Sequence, residues 1–424
     1  MRILEKNAGF KSHQFKAPCS ILKPYFTWSL EIGNLCYNLH VTYDIVLVAN
    51  SPGELSALAM PIIRKFREKS PESRIILVLT PCQYSSGREV DFAQNTLKAD
   101  FVISPEDYKN WLLGKPLKKD IAFKKDGIVL FIGGDLLHAT LLSKRLGYKA
   151  YAYLAGKFVN WVSAFEKFFV PNEKLFRRKI PSKKLLEVGD MMTELPHITT
   201  KEESQEKWKI NKDKPVLAML PGSRMWEIKH LLPIYEKIGK LLKKETPDIQ
   251  LMLIISPFNS IKDFEQFKEH KMFDIFAHFD SIKAANMAIT IPGTNTAQLA
   301  VLGIPTIMIF PLDNSDAIPL EGLLHYITSM PIIGRLIKKI MAKIINAKTK
   351  YFALPNIKSK KEIMPEFRGK IRPEKIVQHI INLIRDHETL KRTSEMLKSS
   401  MQVSDASLKI VETIIRDQGK TLET

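Results

Sequence analysis

The sequence predicts an α/β protein of two domains, each a parallel sheet with helices on both faces, opposed across a cleft. Three observations carry that expectation. Short apolar runs of strand character alternate with stretches of helical period, at a spacing suited to β-α-β crossovers. The pattern stops at a polar stretch, Thr199–Lys214, and then restarts. In both halves a glycine-containing turn stands directly between a strand and a helix, which is where open α/β sheets bind their ligands.

The first strand is Asp44–Ala49 (DIVLVA), followed by the turn Asn50-Ser51-Pro52-Gly53 and a helical pattern to about Lys69. Arg74–Thr80 is the next strand, set off by Ser70-Pro71. Gly127–Ile132 (GIVLFI) runs into Gly133-Gly134 and a periodic helix through Leu146, after which Tyr148–Leu154 resumes strand character. In the second half Pro215–Leu220 (PVLAML) is a strand, Trp226–Lys244 a helix and Ile249–Ser256 a strand. Met287–Ile291, a helix from about Thr294 and Pro305–Phe310 complete a β-α-β unit, and two helices follow from Pro373. The resulting layout is an N-terminal extension (1–40), a first α/β domain (41–198), a second (199–372) and C-terminal helices (373–424) that cross back to brace the first domain.

A chain of 424 residues with 45% apolar and 26% charged residues has the make-up of a globular protein with a large core. Its three cysteines, Cys19, Cys36 and Cys82, form no CxxC pair, which argues against a disulfide framework or a zinc ribbon and fits the reduced cytosol. The ten histidines show no HExxH spacing, so neither a metal nor a cofactor is expected. No stretch reaches the roughly 18–20 apolar residues of a spanning helix. Val301–Leu312 is interrupted by Pro305 and Thr306 and reads as a buried strand. Lysines 6, 11, 16 and 23 break every apolar run of the first forty residues, which therefore lack a signal-peptide layout. Lys and Arg outnumber Asp and Glu by 64 to 45, a formal charge of +19 that attracts polyanions unless it is spread over a solvated surface.

Two turns carry chemistry. Leu220-Pro221-Gly222-Ser223-Arg224 lies between a strand and a long helix. Gly222 lets the backbone approach a ligand, the helix start favours an anion, and Arg224 can fork onto phosphate oxygens. A plain turn with a solvated arginine is the other reading. Ile291-Pro292-Gly293-Thr294-Asn295-Thr296 repeats the arrangement in the same half, and Gln298, one turn in, suits a ribose. Together they form a cradle for a nucleoside diphosphate, and neither is a GxxxxGK[ST] loop.

These segments resemble a known family. LPGSRMWEIKHLLP is similar to the LPGSR-x-x-EI-x-x-LLP signature of lipid-A-disaccharide synthases, and IPGTNTAQLAVLGIP to their SGTATLE-x-x-x-x-x-x-P segment. Tyr351–Phe367 (YFALPNIKSKKEIMPEF) resembles their LPNI-x-x-x-x-x-VPEF element. Gly53-Glu54-Leu55-Ser56 falls where the family has GE-x-SGD, and Gly133-Gly134-Asp135 where it has G-I-D-x-P-D. The resemblance implies a glycosyltransferase-B fold of two Rossmann-like domains. It implies inverting transfer without a metal, from UDP-2,3-diacylglucosamine to a diacylglucosamine 1-phosphate at the inner face of the inner membrane. The donor domain is then the second and the acceptor domain the first. Substrate contacts are expected at Gly222, Ser223, Arg224, Glu227, Gly293, Thr294, Asn295, Thr296, Gln298, Ser56 and Asn356.

The chain also departs from the family. The aspartate of GE-x-SGD is Leu58 and its glycine Ala57, the second aspartate of G-I-D-x-P-D is His138, and the glutamate of SGTATLE is Gln298. The aromatic YVSPSVWAW stretch is echoed only by Tyr153–Trp161. An inverting transfer needs a base for the acceptor hydroxyl, and Asp135, after a strand and two glycines, is the first choice, with Glu54 and His138 as alternatives. A mere helix cap is the other reading of Asp135.

Between Gly322 and Lys350 the chain holds Arg335, Lys338, Lys339 and Lys343, with Lys348 and Lys350, and no acidic residue. Leu336, Ile337, Ile340, Met341, Ile344 and Ile345 share one helical face. That is the layout of an interfacial helix on an anionic leaflet, or else of an amphipathic helix on the protein's own core. No nucleic-acid-binding layout is present, and a homodimer is allowed but not indicated. Two further functions stay open: another nucleotide-sugar enzyme of the same fold with a different acceptor, and a catalytically silent lipid-binding relative.

Overall fold

The computed structural model describes residues 42–82, 85–117, 121–156, 159–312 and 344–422. The first sheet has seven parallel strands in the order β3-β2-β1-β4-β5-β6-β7. They are β1 (Asp44–Ala49), β2 (Arg74–Leu79), β3 (Phe101–Ile103), β4 (Gly127–Phe131), β5 (Lys149–Tyr153), β6 (Phe165–Val170) and β7 (Leu185–Glu187). The second sheet has six, ordered β10-β9-β8-β11-β12-β13: β8 (Val216–Met219), β9 (Gln250–Ile255), β10 (Ile275–His278), β11 (Met287–Thr290), β12 (Thr306–Pro311) and β13 (Glu366–Gly369). The two Rossmann-like sheets expected from the sequence are both present.

Both faces of each sheet are covered, so the central strands are largely apolar rather than alternating with polar residues. Along β1, Ile45, Leu47 and Ala49 enter the core on one face, and Val46 and Val48 the core on the other. The second sheet is likewise packed on both faces. A buried carboxylate registers the start of the first sheet. Asp44 accepts two bonds from Arg74 (2.8 and 2.9 Å), one from the Lys124 backbone N–H (2.8 Å) and one from the Tyr148 hydroxyl (3.1 Å). A buried charge so fully partnered ties β1, β2 and the approach to β4 and β5 together at the end of the sheet remote from the strands' carboxyl ends.

After β1 the chain enters α1 (Pro52–Glu54), a π-helical turn (Leu55–Ala59) and α2 (Met60–Lys69). The remaining helices of the first half are α3 (Glu89–Asn95), α4 (Pro105–Leu112) and α5 (Leu136–Leu146), which Gly147 ends in the left-handed region (φ 71°). The second half contains α6 (Lys201–Lys207), α7 (Met225–Glu245), α8 (Ile261–Glu265) and α9 (Thr294–Leu302). The stretch that reads as a polar linker thus contains a helix, because Thr200 and Glu203 form a capping box at its start. Strands β3, β6, β7, β10 and β13 were not foreseen: β3, β7, β10 and β13 are short edge strands, and the apolar pattern of β6 is broken by Glu166 and Lys167.

The end of the chain holds three helices, not two. Pro373–Arg385 lays Ile376, Val377, Ile380 and Ile381 into the core beside α7. Asp386 caps a second helix, His387–Ser400, by accepting from the Thr389 N–H, and this helix lies along α9. The last helix, Ala406–Leu422, crosses to the first half and packs Ile410, Val411 and Ile414 into the core beneath α2.

The strand orders decide where a ligand can sit. In the first sheet the order reverses between β1 and β4, and in the second between β8 and β11. Crevices open at the carboxyl ends of strands at such reversals. The turns after these four strands are the segments in which the sequence analysis placed the chemistry.

Candidate functional site

The turns after β1, β8 and β11 line one cavity of about 650 Å³ between the two sheets. From the first half it takes Ser51, Gly53, Glu54 and Ser56; from the second, Gly222, Ser223, Arg224, Glu227, Gly293, Thr294, Asn295 and Gln298. Residues from both sheets that are far apart in the chain are therefore gathered at one place.

Each half builds its turn around a glutamate. The Glu54 carboxylate accepts the N–H groups of Asn50 (2.9 Å) and Ser51 (3.2 Å). It occupies the space that a Cβ on Gly133 would fill. In the second half Glu227 accepts the N–H groups of Ser223 (3.0 Å) and Arg224 (3.1 Å), and the Arg224 guanidinium donates to it at 2.7 Å. A Cβ on Gly222, whose φ is +95°, would collide with that carboxylate. Both glycines are needed for close approach, and Gly222 also for its backbone conformation.

The two helix starts of the second half are consequently unlike. At α7 the Glu227 carboxylate meets the N–H groups of Ser223 and Arg224, just ahead of the helix, and the Arg224 guanidinium is held by the same group. At α9 the capping position is Gly293 (φ 139°), with no side chain capping the turn. Thr296 folds back, its hydroxyl donating to the Gly293 carbonyl (2.7 Å) and accepting from the Leu354 N–H (3.2 Å). An anion in the cavity thus meets open N–H groups at α9 and the Arg224 fork at α7.

Four expected residues take other places. Thr296 is fully buried and does not line the cavity. Asn356 is fully buried and makes four bonds inside the protein: to Met364 O (2.6 Å) and Glu366 Oε1 (2.9 Å), and from the N–H groups of Ile363 (2.8 Å) and Met364 (2.9 Å). It pins the segment before β13 and does not line the cavity. Asp135 is exposed at the carboxyl end of β4 and caps α5, its Oδ1 accepting from Leu137 N–H at 2.9 Å. His138 lies behind it, its Nδ1 bonded to the Tyr108 hydroxyl at 2.9 Å, and burial lowers its pKa below the ordinary value despite nearby Asp135. Neither lines the cavity. Arg335, Lys338, Lys339 and Lys343 lie outside the described residues. Among the described residues no helix is long and apolar enough to cross a membrane, and no cluster of ligands suits a metal ion.

The cavity also contains residues that sequence reasoning missed. His278, Phe279 and Asp280 follow β10, and Ser256, Pro257 and Phe258 follow β9. Burial alone would raise the Asp280 carboxyl, but the bonds from Ser281 and Lys207 outweigh it and hold it below its ordinary range. The signal for β10 was weak because its four residues follow the charged run Lys268–Asp274. Leu58 and Ala57 lie on the cavity wall, in the π-helical turn, where the family has aspartate and glycine.

Comparison with known proteins agrees with the motifs. Residues 160–318 match the family model for lipid-A-disaccharide synthetase. The chain resembles that family. A lipid-A-disaccharide synthase of Gloeothece citriformis is 24% identical over 213 residues, 48% of each chain. One from Coxiella burnetii is 25% identical over 239 residues, 53% of this chain and 57% of the other. One from a Sulfurihydrogenibium species is 24% identical over 326 residues, 67% and 76%. The chain thus spans about half the length of the first two relatives. Among solved structures, UDP-GlcNAc 2-epimerase from Neisseria meningitidis bound to UDP-GlcNAc superposes with a TM-score of 0.50 at 13% identity, covering 88% of this chain and 100% of that one. The glycotransferase of kitacinnamycin gives 0.50 at 11%, covering 89% and 99%. These likenesses establish the fold, two Rossmann-like domains of the glycosyltransferase-B type.

The Gly133–Glu54 packing makes a direct prediction. Gly133→Ala should expel the Glu54 carboxylate and release the Asn50 and Ser51 N–H groups, costing about 1–3 kcal/mol. In a Glu54→Ala background the same change should cost at least about 1 kcal/mol less, because the two residues share one space. Urea denaturation of the four proteins measures this; additive costs would contradict the packing.

Proposed function

We propose that this chain transfers a 2,3-diacylglucosamine unit from UDP to 2,3-diacylglucosamine 1-phosphate, releasing UDP and forming lipid A disaccharide 1-phosphate. The observation that carries this reading is the joining of the Arg224 and Gly293 turns in one cavity that the first sheet's Ser51–Ser56 turn faces. The donor diphosphate sits over the open start of α9, with the Arg224 fork offsetting the charge that grows on departing UDP. Glu227 acts by orienting that fork, and Gln298, buried one turn into α9, reaches the nucleoside. The acceptor enters from the first half, near Ser56 and the Gly133–Asp135 turn. Asp135, exposed there on a strand end, removes the acceptor hydroxyl's proton. The apolar Leu58 in place of the family's aspartate favours a second reading, in which the acceptor is a different acylated aminosugar.

Titration calorimetry tests the donor assignment. Arg224→Ala should weaken UDP binding by about 1.5–3 kcal/mol, the worth of a hydrogen bond to a charged group. Affinity equal to that of the parent would remove Arg224 from the site.

The base assignment has a separate test. Asparagine caps helices as well as aspartate does, so Asp135→Asn keeps the start of α5 and removes only the proton acceptor. Turnover should fall by ~10²–10⁴, with UDP affinity unchanged. Full turnover in Asp135→Asn together with loss in Glu54→Gln would transfer the role to Glu54.

We further infer that the protein works at the cytoplasmic face of an anionic membrane, the basic Gly322–Lys350 stretch supplying about 1 kcal/mol per basic residue near the surface. Changing Lys338, Lys339 and Lys343 together to Glu should release the protein from anionic vesicles in a sedimentation assay. Equal binding of the parent to neutral and anionic vesicles would refute the inference.

A further inference from the structure

The covalent links between the halves are the chain crossings near residues 190–199 and 401–406. Separate from both is a polar and aromatic contact between the two sheets' own helices. Arg88, at the capping position of α3 in the first half, donates to both oxygens of Asp263 in α8 of the second, each at 2.6 Å. Arg88 is set for this, because the turn before it is closed by Glu89, which accepts from the N–H groups of Ser86 (2.5 Å) and Gly87 (3.0 Å). Asp263 is set too, accepting from the Ser260 N–H (2.6 Å) and hydroxyl (3.0 Å). One turn beyond Arg88, the Phe92 ring lies 4.3 Å from that of Phe258. Phe258 belongs to the second half, yet it is 2% exposed and packs within the first half's apolar core.

The same turn of chain that Arg88 and Phe92 grip lines the cavity through Ser256, Pro257 and Phe258. We propose that Arg88 is a positioning residue: its fork on Asp263, with the Phe92–Phe258 contact, is a releasable clamp that closes the two halves on each other and holds the Ser256–Phe258 turn at the wall of the cleft. A bidentate guanidinium–carboxylate pair is suited to this task. It is directional, so it fixes register, and it is partly exposed (43% at Arg88 against 15% at Asp263), so water can replace it when the cleft opens. The Asp263 carboxyl agrees with that geometry: burial would raise it, but Arg88 and Ser260 hold it below its usual range. The clamp goes beyond the proposed transfer reaction and needs no substrate to be tested.

Spin labels at the exposed Leu113 and Lys271, in a background with Cys19, Cys36 and Cys82 replaced by Ser, report the distance between the halves by pulsed dipolar spectroscopy. In the parent the short distance should dominate. Arg88→Ala and Asp263→Asn should each lower the ratio of short to long distances about 10-fold, as expected for loss of charge-assisted hydrogen bonds. The reversed pair, Arg88→Asp with Asp263→Arg, should restore the short distance, which a merely structural defect would not permit. Thermal melting confirms that each variant is folded, and Asp263→Asn, nearly isosteric, keeps the test open should Arg88→Ala fail to fold. A distribution unchanged in both single variants overturns the proposal, and so does a shift that the reversed pair leaves uncorrected.

Discussion

Under Gly222 and Gly133 the backbone gives up its side chain so that a carboxylate can take the space, and the shape of the cleft follows from those two contacts. Glu227 and Glu54 are each drawn in by a pair of backbone N–H groups of the neighbouring turn. A buried or half-buried carboxylate is stable only when so partnered, and in binding it locks the turn that supplies the donors. Any β-carbon on either glycine would evict the carboxylate and free those donors. The two halves, built on different sheets, thus use the same device at the strand end next to their reversal point. The equivalence has a chemical limit. Glu227 also pairs with Arg224 at the start of α7, whereas α9 starts on a glycine. Negative charge is therefore favoured at the start of α9.

Much of this was legible in the sequence, for a physical reason. Strands buried on both faces read as unbroken apolar runs, as DIVLVA, GIVLFI and PVLAML do, and a glycine turn at the end of such a run has few uses besides close approach. Elements held by edges or by polar contacts were not legible. Strand β13 (EFRG) is half-buried at a sheet edge and carries two charges, so no pattern reveals it. Asn356 was read as a ligand contact from its motif, but a buried amide with four internal partners is a structural pin. Periodicity reports burial of apolar groups; it says nothing of which polar residues the tertiary fold turns inward. Arg88 was missed for the same reason, since its partner is 175 positions away and nothing local marks either member.

Leu58 shows how a departure from a family pattern is resolved by position. It is 4% exposed and belongs to the first sheet's core, while its turn also faces the cavity. A carboxylate there would need partners of its own, and the Glu54 cluster beside it already uses the N–H groups of Asn50 and Ser51. The apolar residue resolves that conflict by joining the core. Ser56, Ala57 and Leu58 all belong to the π-helical turn, and all three line the cavity. The first half's wall accordingly presents Ala57 and Leu58 to the cavity where the family pattern has glycine and aspartate.

The cleft then stands between two kinds of connection. The chain crossings are permanent: the Ser407 hydroxyl and N–H bonded to Glu194, and Ser404 bonded to the Asp190 carbonyl, keep the last helix in place beside the first sheet. The Arg88–Asp263 pair and the seated Phe258 ring are not covalent, and the aromatic contact is apolar while the ion pair is partly wet. Opening would expose little backbone, since both turns are closed by their own side-chain bonds through Glu89 and Asp263. With both turns rigid, release of the Arg88–Asp263 clamp favours movement of the halves as bodies over melting of a loop. A cleft that parts as a whole and re-forms its walls intact also suits the bulky acylated sugars proposed as its substrates.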